Sequence, residues 1–172
     1  MNNSNNIKLG LIGVGNWGLN YLKTVSKIDG VDFVYITSIK SGFENLIDKN
    51  CKVISDWKKL LTLGDIDGVI ISTPPHSHYE IIIECLNLKI PLLVEKPLVT
   101  DIKQAEMIYK LAREKNVLVL VDYIHLHNHD FLEICKSKRK SEVKNIISLA
   151  GNHGPFRKDI RALWDWTPHD LA

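Results

Sequence analysis

The sequence is poor in cysteine, has almost no excess of charge of either sign and lacks long apolar runs. Its three cysteines, Cys51, Cys85 and Cys135, are odd in number and widely spaced. That pattern argues against a disulfide framework or a zinc cluster, and we expect the cysteines to pack as small apolar residues. The 22 basic and 20 acidic residues leave a net charge of +2, which gives the whole chain no field that would attract nucleic acid.

No segment approaches the roughly 18 apolar residues of a membrane span. The amino terminus, MNNSNNIKLG, also lacks the apolar core of a signal peptide. These absences predict a cytoplasmic protein with no membrane partner. The 172 residues, 45% of them hydrophobic, suffice for one domain with its own core, and we expect no two-domain enzyme of ordinary size.

What the sequence does contain is a regular alternation of short apolar runs with segments of helical periodicity. The runs predict strands at 7–12, 31–38, 51–54, 67–73, 90–95 and 117–121, and the intervening segments predict helices near 16–28, 42–49, 56–63, 78–88 and 101–115. Strands that are apolar on both faces need helices on both sides. The pattern therefore predicts an α/β fold with a doubly wound parallel sheet. Ser77 and Glu80 have the spacing of a capping box before the fourth helix.

The pattern changes near residue 122. Residues 131–144 predict one more helix, 145–151 a strand and 152–159 a loop. We therefore expect one α/β domain at 1–122 and an incomplete α+β segment, the start of a substrate or oligomerisation domain, at 123–172. Elements with few partners expose apolar surface, which favours a homo-oligomer or a partner chain that completes the second domain.

A GxGxxG turn, formed by Gly13, Gly15 and Gly18, follows the first strand and opens the first helix. In that context Gly13 permits a tight turn, Gly15 lets a pyrophosphate approach the backbone and Gly18 lets the helix pack on the strand. The helix amino terminus at Asn16 and Trp17 offers free N–H groups to the anion. This is the Rossmann pattern for a dinucleotide, and it predicts that 1–122 is a dinucleotide-binding domain. The alternative is a purely structural turn.

The end of the second strand bears on the choice of dinucleotide. An acidic residue there accepts hydrogen bonds from the ribose hydroxyls of NAD. This chain has Ser38, with Lys40 two residues later. A lysine attracts a 2′-phosphate, so NADP is slightly preferred over NAD. The alternative is a polar turn with an ordinary surface lysine.

Two further strand ends carry short motifs, STPPHSH after the fourth strand and EKP after the fifth. The glycine turn, the TPP-x-x-H segment and EKP, in this order, resemble the Gfo/Idh/MocA family of NAD(P)-dependent oxidoreductases. The resemblance covers essentially the whole chain and implies a hydride transfer between a nicotinamide cofactor and a sugar, polyol or nucleotide-sugar substrate. It also implies that further residues bind the cofactor, namely Thr73, Pro74, Pro75, His78, Glu95 and Lys96. In this family the peptide before the proline of EKP is often cis, and we expect the same between Lys96 and Pro97.

The resemblance continues into the segment where the family carries a D-x-x-x-H pair, here Asp165 and His169. It implies Lys96, Asp165 and His169 as catalytic residues. A histidine has an ordinary pKa of about 6.5, which suits His169 to general acid/base work. Asp165 would orient it, and Lys96 would polarise the substrate oxygen. The alternative function is a non-catalytic NAD(P)-binding module, a remnant or subunit of such an enzyme.

Three features of the sequence either differ from the family pattern or suggest another kind of site. Leu126 stands near the position where many members have an arginine. His125, His127 and His129 would share one face of an extended segment and chelate a metal there, although polar residues on the wet face of a strand explain them better, and we predict no metal. The basic run at 136–140 fits a solvated helix end better than a nucleic-acid site.

Family members are also longer than this chain. We therefore expect an intact cofactor-binding half and only the first part of the substrate-binding half.

Overall fold

The computed structural model describes residues 6–136, 147, 160, 161, 163–165 and 167. The chain divides into two compact units, Met1–Val121 and Asp122–Ala172. The predicted strand at 145–151 and loop at 152–159 lie almost wholly outside the described residues. Within the described part of the chain, no helix is both long enough and apolar enough to cross a membrane.

The first unit alternates strands and helices as the apolar pattern predicts. Its strands are β1 (Ile7–Ile12), β2 (Val31–Thr37), β3 (Lys52–Val53), β4 (Gly68–Ile71), β5 (Leu92–Glu95) and β6 (Val119–Asp122), the last of which ends in the second unit. Its helices are α1 (Asn16–Val25), α2 (Trp57–Thr62), α3 (His78–Asn87) and α4 (Ile102–Lys115). In the second unit a helix, α5 (His129–Lys136), follows a 3₁₀ turn.

The strands form one sheet in the order β3-β2-β1-β4-β5-β6. Strand β1 pairs in parallel with both β2 and β4, β2 pairs in parallel with β3, and β4 with β5. From β1 the chain adds β2 and then β3 on one side of the sheet. It then crosses back and adds β4, β5 and β6 on the other side of β1. The predicted doubly wound parallel Rossmann sheet is confirmed.

Apolar side chains cover the sheet on both faces because successive strand residues point to opposite sides. Leu11 lies in one buried cluster with α1, and its neighbour Ile12 lies in the other with helices α2, α3 and α4. Cys85, fully buried, belongs to the second cluster. All three cysteines are free.

Two local predictions are wrong. Residues 42–49 form a single 3₁₀ turn at Glu44–Leu46, because Gly42 has a positive φ of 91° and the Asp48 side chain accepts a hydrogen bond from the backbone N–H of Asn50. Local hydrogen bonds thus replace helical ones. The capping box is also absent, since the Ser77 hydroxyl donates to Thr73 Oγ1 at 2.7 Å and caps no helical N–H.

A candidate dinucleotide site at the carboxyl ends of the strands

The candidate site lies at the point where the sheet reverses direction. Because β1 pairs with β2 on one side and with β4 on the other, their following loops diverge to opposite faces and leave a crevice between them. The carboxyl ends of β1, β2, β4 and β5 share one edge of this parallel sheet. Each of these ends carries residues that the sequence predicts to bind a dinucleotide.

The turn after β1 is closely packed at two of its three glycines. Gly13 has φ of +97°, and a Cβ atom there would come within 2.9 Å of the Thr73 side chain. A Cβ atom at Gly18 would collide with the carbonyl oxygen of Gly13. Both positions therefore exclude larger residues for reasons of fold alone.

Gly15 differs, because none of the described residues other than its two chain neighbours has an atom within 4 Å of the place where its Cβ would lie. Its φ of −86° is also open to any residue. Neither packing nor backbone conformation thus requires glycine here, whereas a ligand that must approach the backbone does. Gly15 is the N-cap of α1, and no acidic residue lies in the first turn, which includes Asn16 and Trp17. No carboxylate in that turn would repel an anion bound by its N–H groups.

The end of β2 is tied to the turn. The backbone N–H of Gly13 donates to the carbonyl oxygen of Thr37 at 2.8 Å. Beyond Thr37, the Ser38 hydroxyl accepts a 3.0 Å hydrogen bond from the backbone N–H of Lys40, whose side chain is exposed. This segment presents a hydroxyl and a cation, and no carboxylate stands at 38–41.

The end of β4 contacts the turn from the other side. The Ser72 hydroxyl donates to the carbonyl oxygen of Gly13 at 2.6 Å. Thr73 and Pro74 follow, the first half-buried and the second exposed, while Pro75 is buried. The TPP segment thus borders the glycine turn, as a coenzyme-binding role requires.

His78, the first residue of α3, is fully buried. Its Nε2 atom lies 2.8 Å from the carbonyl oxygen of Thr73, and its Nδ1 atom lies 3.0 Å from that of Pro97 and 3.2 Å from that of Leu98. Burial lowers the pKa of this imidazole, although the three carbonyl oxygens act in the opposite direction. The side chain links the segment after β4 to the segment after β5.

The end of β5 carries the EKP motif. Glu95 is only 8% exposed, and its Oε1 atom accepts a 2.9 Å hydrogen bond from the phenol of Tyr21 on α1. Lys96 is half-buried, and the peptide between Lys96 and Pro97 is cis, as expected. Glu95 thereby anchors the base of the loop that holds Lys96 to the helix that follows the glycine turn.

The two other predicted catalytic residues belong to the second unit or fall outside the description. Asp165 has helical backbone conformation, and its N–H donates to the carbonyl oxygen of Arg161 at 3.1 Å. His169 lies outside the described residues, and so do Lys138, Arg139 and Lys140 of the basic run.

The histidine-rich segment does not form the extended chain that a shared metal face would need. Residues Ile124–His127 form a 3₁₀ turn, and His129 begins α5. Among the residues that the structure describes, no three His, Cys, Asp or Glu side chains are grouped so as to hold a metal.

Two residues of the site were not predicted from the sequence. Ser72 faces Gly13 because the register of the sheet pairs Ile71 with Ile12, one position earlier in each strand. Tyr21 meets Glu95 across 74 positions. The first contact follows once β1 and β4 are known to be neighbours, whereas no local pattern indicates the second.

The fold, the glycine turn and its open face at Gly15 define a dinucleotide-binding domain of the doubly wound class. The family model described as "Oxidoreductase family, NAD-binding Rossmann fold" matches residues 7–123. The chain therefore belongs to the Gfo/Idh/MocA family, as the motifs predict.

Similar proteins agree with this assignment. The chain is 24% identical over 161 residues to scyllo-inositol 2-dehydrogenase (NADP(+)) of Bacillus subtilis, a match that covers 92% of this chain and 44% of that enzyme. It is 32% identical over 104 residues to dTDP-3,4-didehydro-2,6-dideoxy-α-D-glucose 3-reductase of Saccharopolyspora spinosa, which covers 59% and 31%. A crystal structure from Magnetospirillum magnetotacticum MS-1 matches with a TM-score of 0.86 at 33% identity, over 96% of this chain and 55% of that one. The chain thus spans less than half the length of either of the two enzymes.

Proposed function

We propose that this chain binds NAD(P) and serves hydride transfer to or from a hydroxyl-bearing carbon of a sugar, polyol or nucleotide sugar. The observation that carries the proposal is Gly15, a glycine that neither packing nor conformation requires, placed at the amino terminus of α1. When bound, a nicotinamide dinucleotide supplies the hydride acceptor or donor. The names of the two relatives support the substrate class, since one acts on an inositol and the other on a nucleotide sugar.

The chain's own side chains would handle the proton and the oxygen of the substrate. We assign Lys96 to the substrate oxygen, because it stands at the carboxyl end of β5 in the EKP motif, at the same sheet edge as the glycine turn. We assign general acid/base work to His169, with Asp165 four residues earlier as its orienting partner. Lys96, Glu95 and the TPP residues would border the nicotinamide half of the coenzyme.

We also propose a slight preference for NADP over NAD. Ser38 and the exposed Lys40 replace the acidic residue that would accept hydrogen bonds from a free ribose and repel a 2′-phosphate. The B. subtilis relative uses NADP(+) by its name.

Calorimetric titration of the whole chain with NADH and NADPH tests coenzyme binding. We expect both to bind, NADPH more tightly. The Gly15→Ala variant is expected to stay folded and to lose at least tenfold in affinity for both, because its methyl group stands between the N–H groups and the diphosphate. The absence of binding heat with either coenzyme on folded protein would contradict the proposal.

A steady-state assay with inositols and dTDP-sugars then tests turnover. Lys96→Ala is expected to lower kcat/KM by about 100-fold while the coenzyme still binds. Lys110→Ala, an exposed lysine of α4, is the matched control and is expected to leave kcat/KM unchanged. Coenzyme binding with no turnover on any substrate would favour the alternative of a non-catalytic binding module.

A further inference from the structure

His78 occupies an unusual environment for a residue next to a coenzyme site. Its side chain is fully buried, although the residue begins a helix at the edge of the candidate site. Its two ring nitrogens point in different directions, Nε2 to the carbonyl of Thr73 and Nδ1 to the carbonyls of Pro97 and Leu98. The imidazole therefore spans the gap between two loops that follow neighbouring strands.

Those two loops carry the residues assigned to the reaction. Thr73 begins the TPP segment after β4, and Pro97 directly follows Lys96 after β5. The strands are paired in parallel, with Ile71 beside Val94, so the loops emerge side by side at the same edge of the sheet. A link between them fixes the distance of the Lys96 backbone from the coenzyme-facing segment.

The backbone groups that His78 contacts in the two loops are all carbonyl oxygens, so the side chain at this position must supply hydrogen-bond donors. A carbonyl oxygen only accepts hydrogen bonds, so each contact of His78 requires an N–H group on the ring nitrogen concerned. Neutral imidazole has one such group, and a buried carbonyl left without a donor destabilises the structure. An apolar side chain of similar size would fill the space but hold neither loop.

We propose that His78 is a positioning residue, which holds the Lys96 loop against the Thr73 loop: its ring fills the space between their backbone carbonyls, and it donates to one loop as the neutral imidazole and to both as the imidazolium. This inference rests on the proposed function for the role of Lys96, but the loop link itself does not. Ser77, the preceding residue, adds a second tie within the β4 loop through its hydroxyl contact with Thr73 Oγ1 at 2.7 Å.

Three substitutions of His78 test its contact with each of the two loops separately. The amide nitrogen of Asn reaches about as far as Nδ1 of histidine, and that of Gln about as far as Nε2. His78→Asn therefore keeps a donor toward Pro97 and Leu98, His78→Gln keeps one toward Thr73, and His78→Phe keeps neither. Ile82→Ala is the matched control, because Ile82 is also fully buried on α3 and its loss should weaken the whole unit without a preference for either loop.

Hydrogen–deuterium exchange of the whole chain, without coenzyme, measures the link directly. We expect His78→Phe to speed exchange at least tenfold in the loop to which the ring donates, at the amides of residues 98–100 or at those of 76 and 77. His78→Asn, whose donor faces Pro97 and Leu98, should protect 98–100 better than His78→Gln does, and His78→Gln should protect 76 and 77 better. Equal protection of both loops in all three variants, or the same loop-specific loss in Ile82→Ala, would overturn the inference. If His78→Phe does not fold, the Asn and Gln variants alone give the opposite patterns that decide it.

A kinetic experiment tests the action through Lys96. His78→Gln, which releases the Lys96 loop, is expected to lower kcat at least tenfold with less than a threefold change in coenzyme Kd. In the Lys96→Ala background the same substitution should change kcat less than twofold, because the group it positions is gone. Full additivity of the two losses would refute action through Lys96. Failure of the wild-type chain to bind coenzyme would instead defeat the proposed function, and the exchange result would still decide the link.

Discussion

The phenol of Tyr21 donates a 2.9 Å hydrogen bond to Oε1 of Glu95, and this contact joins the helix after the glycine turn to the strand that ends in EKP. Glu95 is almost completely buried, and a buried carboxyl group needs hydrogen-bond donors to offset the loss of water. The pair thus connects the diphosphate end of the candidate site to the Lys96 end.

Removal of this donor should destabilise the fold. Tyr21→Phe is expected to lower the free energy of unfolding by about 1 to 2 kcal/mol, the usual cost when a buried acceptor loses a partner. Urea denaturation followed by circular dichroism measures the change. Tyr79→Phe is the control, since the Tyr79 phenol donates to the Met107 sulfur, a weak acceptor, at 3.5 Å, and it should cost less than about 0.5 kcal/mol. Equal losses in the two variants would show that the Glu95 contact adds nothing.

The glycines of the turn should respond oppositely in two measurements. Gly18→Ala is expected to destabilise the protein by about 1 to 3 kcal/mol, because the new methyl group collides with the Gly13 carbonyl. Gly15→Ala should cost less than about 1 kcal/mol, since its methyl group meets open space, yet it should weaken NAD(P) binding strongly. Thermal unfolding and calorimetric titration of both variants check the pair. A large loss of stability in Gly15→Ala would mean that the glycine serves the fold.

Coenzyme preference should depend on charge at the end of β2. Ser38→Asp is expected to weaken NADPH binding by about tenfold or more, because a carboxylate there repels the 2′-phosphate, and to leave NADH binding equal or stronger. Ser26→Asp, at the far end of α1, adds the same charge and should change neither. Fluorescence titration with both coenzymes provides the ratio. An unchanged ratio in Ser38→Asp would place the 2′-phosphate elsewhere.

Stability should fall in mild acid because of His78. Burial, helped by the neighbouring His76, lowers the pKa of the folded imidazole below its usual value of 6.5, while the three backbone carbonyls oppose that shift. The unfolded chain then binds the proton more readily, so the stabilisation is complete above about pH 6.5 and is lost as the pH falls through the folded pKa. Denaturation midpoints between pH 5 and 7.5 measure the slope.

Variants separate the two histidines in that experiment. His78→Gln should flatten the acid slope, whereas His76→Gln, at an exposed position, should keep most of it. A slope that survives in His78→Gln would assign the acid sensitivity to another group.

The features that the sequence predicts well are those that depend on neighbours along the chain. The apolar runs predict the six strands, and the GxGxxG spacing predicts the turn, because strand alternation and a tight turn are local properties. The capping box is wrong because the Ser77 hydroxyl donates instead to the side chain of Thr73, four residues earlier. The helix at 42–49 is wrong because Gly42 and the Asp48 side chain favour turns over a helical ladder.

Contacts between distant strands decide the rest of the site. Ser72 and Tyr21 each meet the site through a register or a helix position that only the assembled sheet defines. The motif predicts His78 at the coenzyme, while its three carbonyl partners are visible only when the loops after β4 and β5 are seen together. Its contact with the coenzyme stays a prediction, as does the catalytic role of Lys96, Asp165 and His169.

The hydrogen bond from the Gly13 N–H to the Thr37 carbonyl has a practical meaning for anyone who redesigns coenzyme choice. Residues 38–41 lie beyond this backbone hydrogen bond, so we expect substitutions there to change coenzyme preference without disturbing the glycine turn. An insertion, a deletion or a proline at Thr37 would change the backbone that accepts the hydrogen bond from Gly13, and we expect it to distort the glycine turn. We therefore expect the limit for such substitutions to lie between Thr37 and Ser38.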